Sequence, residues 1–73
     1  DPDYSIVEMT VPPSLAGRSL AELSVRARFG VYVMAIKSSD VMTVAPGADD
    51  VIHEDDVLVV IGRNDRLQRF RKA

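Results

Sequence analysis

Arg26 and Arg28 stand two positions apart in the segment SLAELSVRARFGVYVMAI, just ahead of its apolar end. A guanidinium in such a place has the planar, two-pronged donor geometry that grips a phosphate. Leu20, Ala21 and the apolar residues that follow offer a surface for a base ring. The same arginines also suit ion pairing with the acidic run DDVIHEDD, and the residues alone favour that plainer arrangement.

A second stretch, VLVVIG at Val57–Gly62, looks like the strand that opens a dinucleotide-binding unit. That unit needs three glycines at G-x-G-x-x-G spacing, for a tight turn, close backbone approach and helix packing. Gly62 is followed by Arg63, Asn64 and Asp65, and only 11 residues remain after it. A phosphate loop fails as well, for want of G-K-[ST]. Val57–Ile61 is therefore read as a core strand.

Asp49, Asp50, Glu54, Asp55 and Asp56 supply the oxygen ligands a hard cation such as calcium takes, but not at D-x-[DN]-x-[DN]-G spacing. A solvated turn is the simpler reading. His53, the single histidine, has no partner for a transition-metal site. Arg63, Arg66, Arg69, Arg71 and Lys72 fall in the last 11 positions and suit the negative end of a helix. That helix could equally dock another domain. The net charge of −2 opposes a phosphate-backbone footprint, so no nucleic acid partner is expected. With one histidine, no cysteine, and serines in capping or turn positions, no nucleophile–base–orienter set can be drawn, and a non-enzyme is expected.

The elements that must position these residues follow from pattern. YSIVEMTV alternates, with Val7, Met9 and Val11 on one face and Glu8 and Thr10 on the other, so it reads as a half-buried strand ended by Pro12-Pro13. Ser19–Glu22 is a capping box. It opens a short helix from Leu20 to Phe29, with a break near Ser24 and a stop at Gly30. VYVMAIK is apolar on both faces and hence a central or interfacial strand. Ser38-Ser39-Asp40 turns it into VMTVA as a hairpin, and Pro46-Gly47 makes a further turn. Val51 and Ile52 tuck a loop edge into the core. Asn64 or Asp65 caps a last helix that buries Leu67 and Phe70. The order β-α-β-β-β-α predicts a small α+β domain with helices packed on one side of a mixed or antiparallel sheet.

At 73 residues the chain is a single small domain, 1–73, of a size at which association helps a lone core. With 47% of its residues apolar it carries enough for that core. Without cysteine there is neither disulfide nor zinc–thiolate site, and the chain reads as intracellular. The longest purely apolar run, Val31 to Ile36, is too short to span a membrane. Beginning at Asp1, the sequence is expected to be a piece excised from a longer protein.

YSIVEMTVP, GRSLAEL, VRARFGVYVMAIK and DDVLVVIGRNDRLQRF occur in that order between Tyr4 and Phe70. In this the whole chain resembles the RCK C-terminal (TrkA-C) domain, the regulatory lobe of potassium channels and potassium-uptake gating subunits. Its DVLVVIG close and NDRLQRF tail are most like the cytosolic gating subunits of Ktr/Trk systems. The resemblance implies a separate N-terminal Rossmann lobe for ATP, ADP or NAD. It also implies a C-lobe that pairs as a homodimer about a two-fold axis, and a larger ring of subunits under a membrane partner that conducts potassium. The expected location is thus cytoplasmic, at the inner face of the membrane.

Many Ktr-type C-lobes hold cyclic di-AMP in the dimer cleft, with an arginine at the end of the first helix on phosphate and apolar residues on the adenines. By the resemblance, Arg26 matches the arginine, and Leu20 and Ala21 fall where larger aliphatics often sit. Ser24 falls where the pattern commonly has aspartate and Tyr32 where it commonly has asparagine. Tyr32 then either stacks on adenine or fills the cleft. The alternatives are a purely structural assembly domain, or a divalent-cation sensor of a related channel or antiporter that uses the acidic run.

Overall fold

The computed structural model describes residues 2–73. Four strands form one sheet: β1 (Tyr4–Thr10), β3 (Tyr32–Ser38), β4 (Val41–Val44) and β6 (Val57–Arg63), in the order β1-β6-β3-β4. Every pairing in it is antiparallel. Of the two sheet types open from sequence, the antiparallel one forms because β6 inserts between β1 and β3. The two strands flanking the helical segment are therefore never neighbours, and no parallel pair arises. β1 and β6 pair over their full length, from Tyr4 opposite Arg63 to Thr10 opposite Val57. A bulge at Met34 shifts the β3–β6 register between Val33 and Ala35.

Two further strands were not anticipated as such. β2 (Arg18–Ser19) and β5 (Val51–Ile52) make a separate two-residue ladder, and Gly17 N–H donates to Ile52 O at 2.7 Å. The expected tuck of Ile52 is complete, with its side chain fully buried, while Val51 stays partly exposed. The expected single helix is two, α1 (Leu20–Leu23) and α2 (Val25–Phe29), broken at Ser24 in the left-handed conformation (φ 47°). The last helix, α3, runs Asn64–Arg71.

The three helices cover one face of the sheet. The alternation of β1 holds, with Met9 and Val11 buried, Val7 half-buried, and Glu8 and Thr10 exposed. Leu23, Ile52, Leu58, Val60 and Phe70 form the centre of the core, and Phe70 meets Phe29 edge-to-face with centroids 5.1 Å apart. Gly62 has its explanation here. A Cβ on it would lie 2.9 Å from Cγ1 of Val31, so the glycine serves close packing of strand on strand and no phosphate loop.

The start of α3 departs from expectation. Arg63, and neither Asn64 nor Asp65, occupies the cap position, and its side chain bonds no backbone N–H of the helix; Asp65 Oδ1 accepts from Arg66 N–H at 2.9 Å within the first turn. The Asn64 side chain instead donates to Pro2 O (3.0 Å) and accepts from Ser5 Oγ (2.6 Å), clasping the helix to the start of β1. Asp65 is taken up by a two-pronged pair with Arg63, at 2.8 and 2.6 Å. These hydrogen bonds hold its carboxyl down to about 2 and push the exposed guanidinium of Arg63 up.

In the acidic turn Asp56 is buried. Its carboxylate accepts from His53 N–H at 2.9 Å, and its carbonyl accepts from Val11 N–H at 3.0 Å.

Two stability predictions follow from this packing. Gly62→Ala should overpack Val31 and cost about 1–3 kcal/mol. Asp56→Ala should strip a buried turn of its acceptor at a similar cost of about 1–3 kcal/mol. Each kcal/mol should lower the melting temperature by roughly 4–8 °C in a domain this small. An unshifted thermal transition in either variant would contradict the packing described.

Candidate functional site

The walls of the site are set by backbone chemistry around α1. Ser19 Oγ accepts from Glu22 N–H and Glu22 Oε1 accepts from Ser19 N–H, both at 3.1 Å, which is the capping box read from sequence. Leu20 N–H then donates to Asp50 O (3.0 Å) and Ala21 N–H to Ala48 O (2.9 Å). The loop between β4 and β5 is thereby tied to the first turn of α1. Its own turn is closed by Asp50, whose Oδ2 accepts from Gly47 N–H at 2.7 Å.

The left-handed residue at Ser24 reverses the chain into α2 after a single turn, with Ser24 N–H and Oγ both donating to Ala21 O. Gly30 ends α2 in a second left-handed residue (φ 70°), its N–H on Arg26 O at 3.0 Å. The corner so formed carries the chain directly into β3. It brings Tyr32 beside Arg26, whose guanidinium carbon lies 5.9 Å from the tyrosine ring centroid.

Leu20, Ala21, Ser24, Arg26 and Tyr32, the residues singled out from sequence, line a single open cavity of about 420 Å³. Val25, Ala27 and Val33 share its wall, and Pro46, Gly47 and Ala48 close its far side. The loop wall escaped sequence reading because its signal, a proline–glycine turn, marks a turn and not what the turn faces. Chemically the cavity is an apolar cleft with one full positive charge and one aromatic ring. Such a volume and lining suit a small organic ligand that carries an anion.

The ion pairs favoured from residue types do not form. Among the described residues neither Arg26 nor Arg28 meets a carboxylate. Arg28 instead donates to Leu23 O at 3.4 Å and lies over the Phe29 ring, and Arg69 donates to Arg28 O. The acidic run is not gathered either. Asp50 and Asp56 each bond back to their own turn, Asp49, Glu54 and Asp55 are exposed, and no metal-holding group of three acids or histidines exists among the described residues. Among the described residues no helix is long and apolar enough to cross a membrane.

Comparison with known proteins completes the description. The model of the TrkA-C domain matches residues 6–73. The chain is 40% identical over 70 residues to the Ktr system potassium uptake protein C of Bacillus subtilis (strain 168), covering 96% of this chain and 32% of that protein. It thus spans about a third of the length of the two Ktr system proteins of Bacillus subtilis that it matches. Among solved structures it is similar to the RCK C domain of the potassium transport protein KtrA in complex with cyclic diadenosine monophosphate. That match has a TM-score of 0.88 at 32% identity and covers 97% of this chain and 84% of the other. It is also similar to the RCK_C domain dimer of S. agalactiae BusR in complex with cyclic di-AMP, with a TM-score of 0.82, 28% identity, and 92% and 85% coverage. Nearly the whole sequence is spanned by one family model, and the antiparallel sheet with its one-sided helices is shared with these solved domains: the chain belongs to the TrkA-C domain family.

Proposed function

We propose that this chain is the ligand-sensing, dimerising regulatory domain of a potassium-transport gating subunit, and that its cleft binds cyclic di-AMP. The observation that carries the reading is the cavity itself. The five residues that the resemblance marks, Leu20, Ala21, Ser24, Arg26 and Tyr32, line one apolar cleft, and the guanidinium among them has no carboxylate partner among the described residues. An unpaired arginine beside apolar walls is what a doubly anionic, two-ringed dinucleotide requires. Two similar domains, of KtrA and BusR, are complexes with this ligand, which supports extending it to this chain.

Dimerisation has its own support in the uncovered sheet face. Ile6, Tyr32, Met42 and Val44 are all more than two-fifths exposed there, with Val44 the most open at 74%. A two-fold dinucleotide suits a self-complementary interface because each half meets identical residues. In the whole protein, a separate lobe would hold NAD, ATP or ADP. The ring of subunits would sit beneath a membrane potassium-transporting partner in the cytoplasm. Ligand binding would act by favouring one arrangement of the paired domains over another.

Calorimetric titration of cyclic di-AMP tests the reading. Binding at one ligand per two chains is expected, and Arg26→Ala should weaken it about ten- to hundredfold, the worth of hydrogen bonds to a charged group. A dimer in sedimentation that takes up no cyclic di-AMP would instead identify a purely structural assembly domain.

A further inference from the structure

Three guanidiniums that take no part in the cleft gather where α2 gives way to β3. Those of Arg28 and Arg69 both lie over the Phe29 ring, their carbons 5.0 and 5.8 Å from its centroid. Arg66 lies over Gly30, its Nη1 3.2 Å from where a Cβ on that glycine would stand. Main-chain carbonyls occupy Nη1 of Arg28 and Nη2 of Arg69. Arg66 is half-buried, and its side chain has neither a hydrogen bond nor a carboxylate partner among the described residues. The positive charge gathered here is thus left unanswered by the chain's own acids.

Exposed acids stand at the other end of β6. His53–Asp56 is a tight turn, closed by Asp56 N–H on His53 O at 3.1 Å and braced by the buried Asp56 carboxylate on His53 N–H. Glu54 and Asp55 are its two corner residues. Both are exposed, and neither holds an ion pair among the described residues. The turn leads into Val57 at the start of β6, whereas Gly62, near the end of that strand, packs against Val31 beside Gly30. At about 3.4 Å per residue the strand holds the acidic corner and the arginines roughly 20 Å apart. The corner cannot reach the arginines of its own chain. The nearer bases, Arg18 opposite Ile52 and Lys37 opposite Val57, leave its carboxylates unpaired as well.

We propose that the Glu54–Asp55 corner of one chain docks on Arg28, Arg66 and Arg69 of a second copy. The chain itself carries the matching charge, on a braced turn, at the end opposite the arginines. Guanidinium forks suit carboxylates. A contact between unlike surfaces repeats head to tail, and closes into a ring where the rotation between copies permits. It uses neither the cleft nor the uncovered face of the sheet, because α2 and α3 pack on the opposite face. Exposed pairs of this kind are weak singly and screened by salt, so ionic strength is their signature.

Sedimentation of the wild-type chain over a concentration series, at about 10 mM and about 1 M salt, tests the contact. Between these the screening length falls from ~30 to ~3 Å. At low salt the average mass should rise with concentration above its high-salt value. Two variants remove one side each: Arg66→Glu with Arg69→Glu, and Glu54→Lys with Asp55→Asn. Asparagine tolerates the left-handed backbone of position 55 (φ 76°). Each variant alone should lose the low-salt rise. Their equimolar mixture should regain it, since the intact acidic corner of the first meets the intact arginines of the second. Should Arg69→Glu lower the melting transition by uncovering Phe29, Arg66→Glu alone takes its place.

A wild-type chain whose mass does not rise at low salt overturns the proposal. So does a rise that survives in either variant alone, or a mixture of folded variants that fails to associate. The cyclic di-AMP reading stands or falls separately, because none of the substituted residues lines the cleft.

Discussion

Everything near the cleft depends on how closely Val31 approaches Gly62. With no Cβ on Gly62, the Val31 side chain lies against the β6 backbone at a distance no other residue would permit. That contact fixes the corner at which α2 gives way to β3. On the near side of the corner Phe29 drops into the core against Phe70. On the far side Tyr32 emerges on the uncovered face of the sheet, opposite Ile61. Arg26 lies on the short helix just before the corner, at a distance from Tyr32 that the corner determines. A packing requirement between two strands thus becomes the geometry of a cation and a ring.

The opposite wall is secured by a different kind of interaction. Pro46–Ala48 carries no functional side chain, yet its position is fixed by main-chain bonds from Ala48 and Asp50 to the first turn of α1. The N–H groups at a helix start lack partners within the helix. Here the loop between β4 and β5 answers two of them, Leu20 and Ala21, and the capping box answers two more, Ser19 and Glu22. Satisfying the end of α1 and building the cleft are one and the same arrangement.

This division explains what could be read in the residues. The β1 alternation, the capping box, the break at Ser24 and the apolar runs of β3 and β6 are written in side-chain type and period, and all stand in the structure. The β2–β5 ladder and the loop wall rest on backbone groups far apart in sequence, which leave no side-chain signature. Asn64 has the right chemistry for a helix cap and spends it on Pro2 and Ser5, because the start of β1 lies within reach. The arginine–carboxylate pairing failed for a related reason. Opposite charges in one sequence say nothing of distance, and Asp50 and Asp56 bond back to their own turns.

The place of β6 in the chain has a consequence for how the domain comes into being. Among the described residues it is the last strand in chain order and the one that sits between β1 and β3. Until residues 57–63 are available, β1 has no hydrogen-bonding partner in the sheet, and only the local β3–β4 hairpin can form. The sheet therefore closes late, through contacts that join Thr10 to Val57 and Tyr4 to Arg63, far apart in the chain. A chain without residues 57–63 exposes the apolar faces of β1 and β3 together, which makes the arrival of β6 the step that hides them.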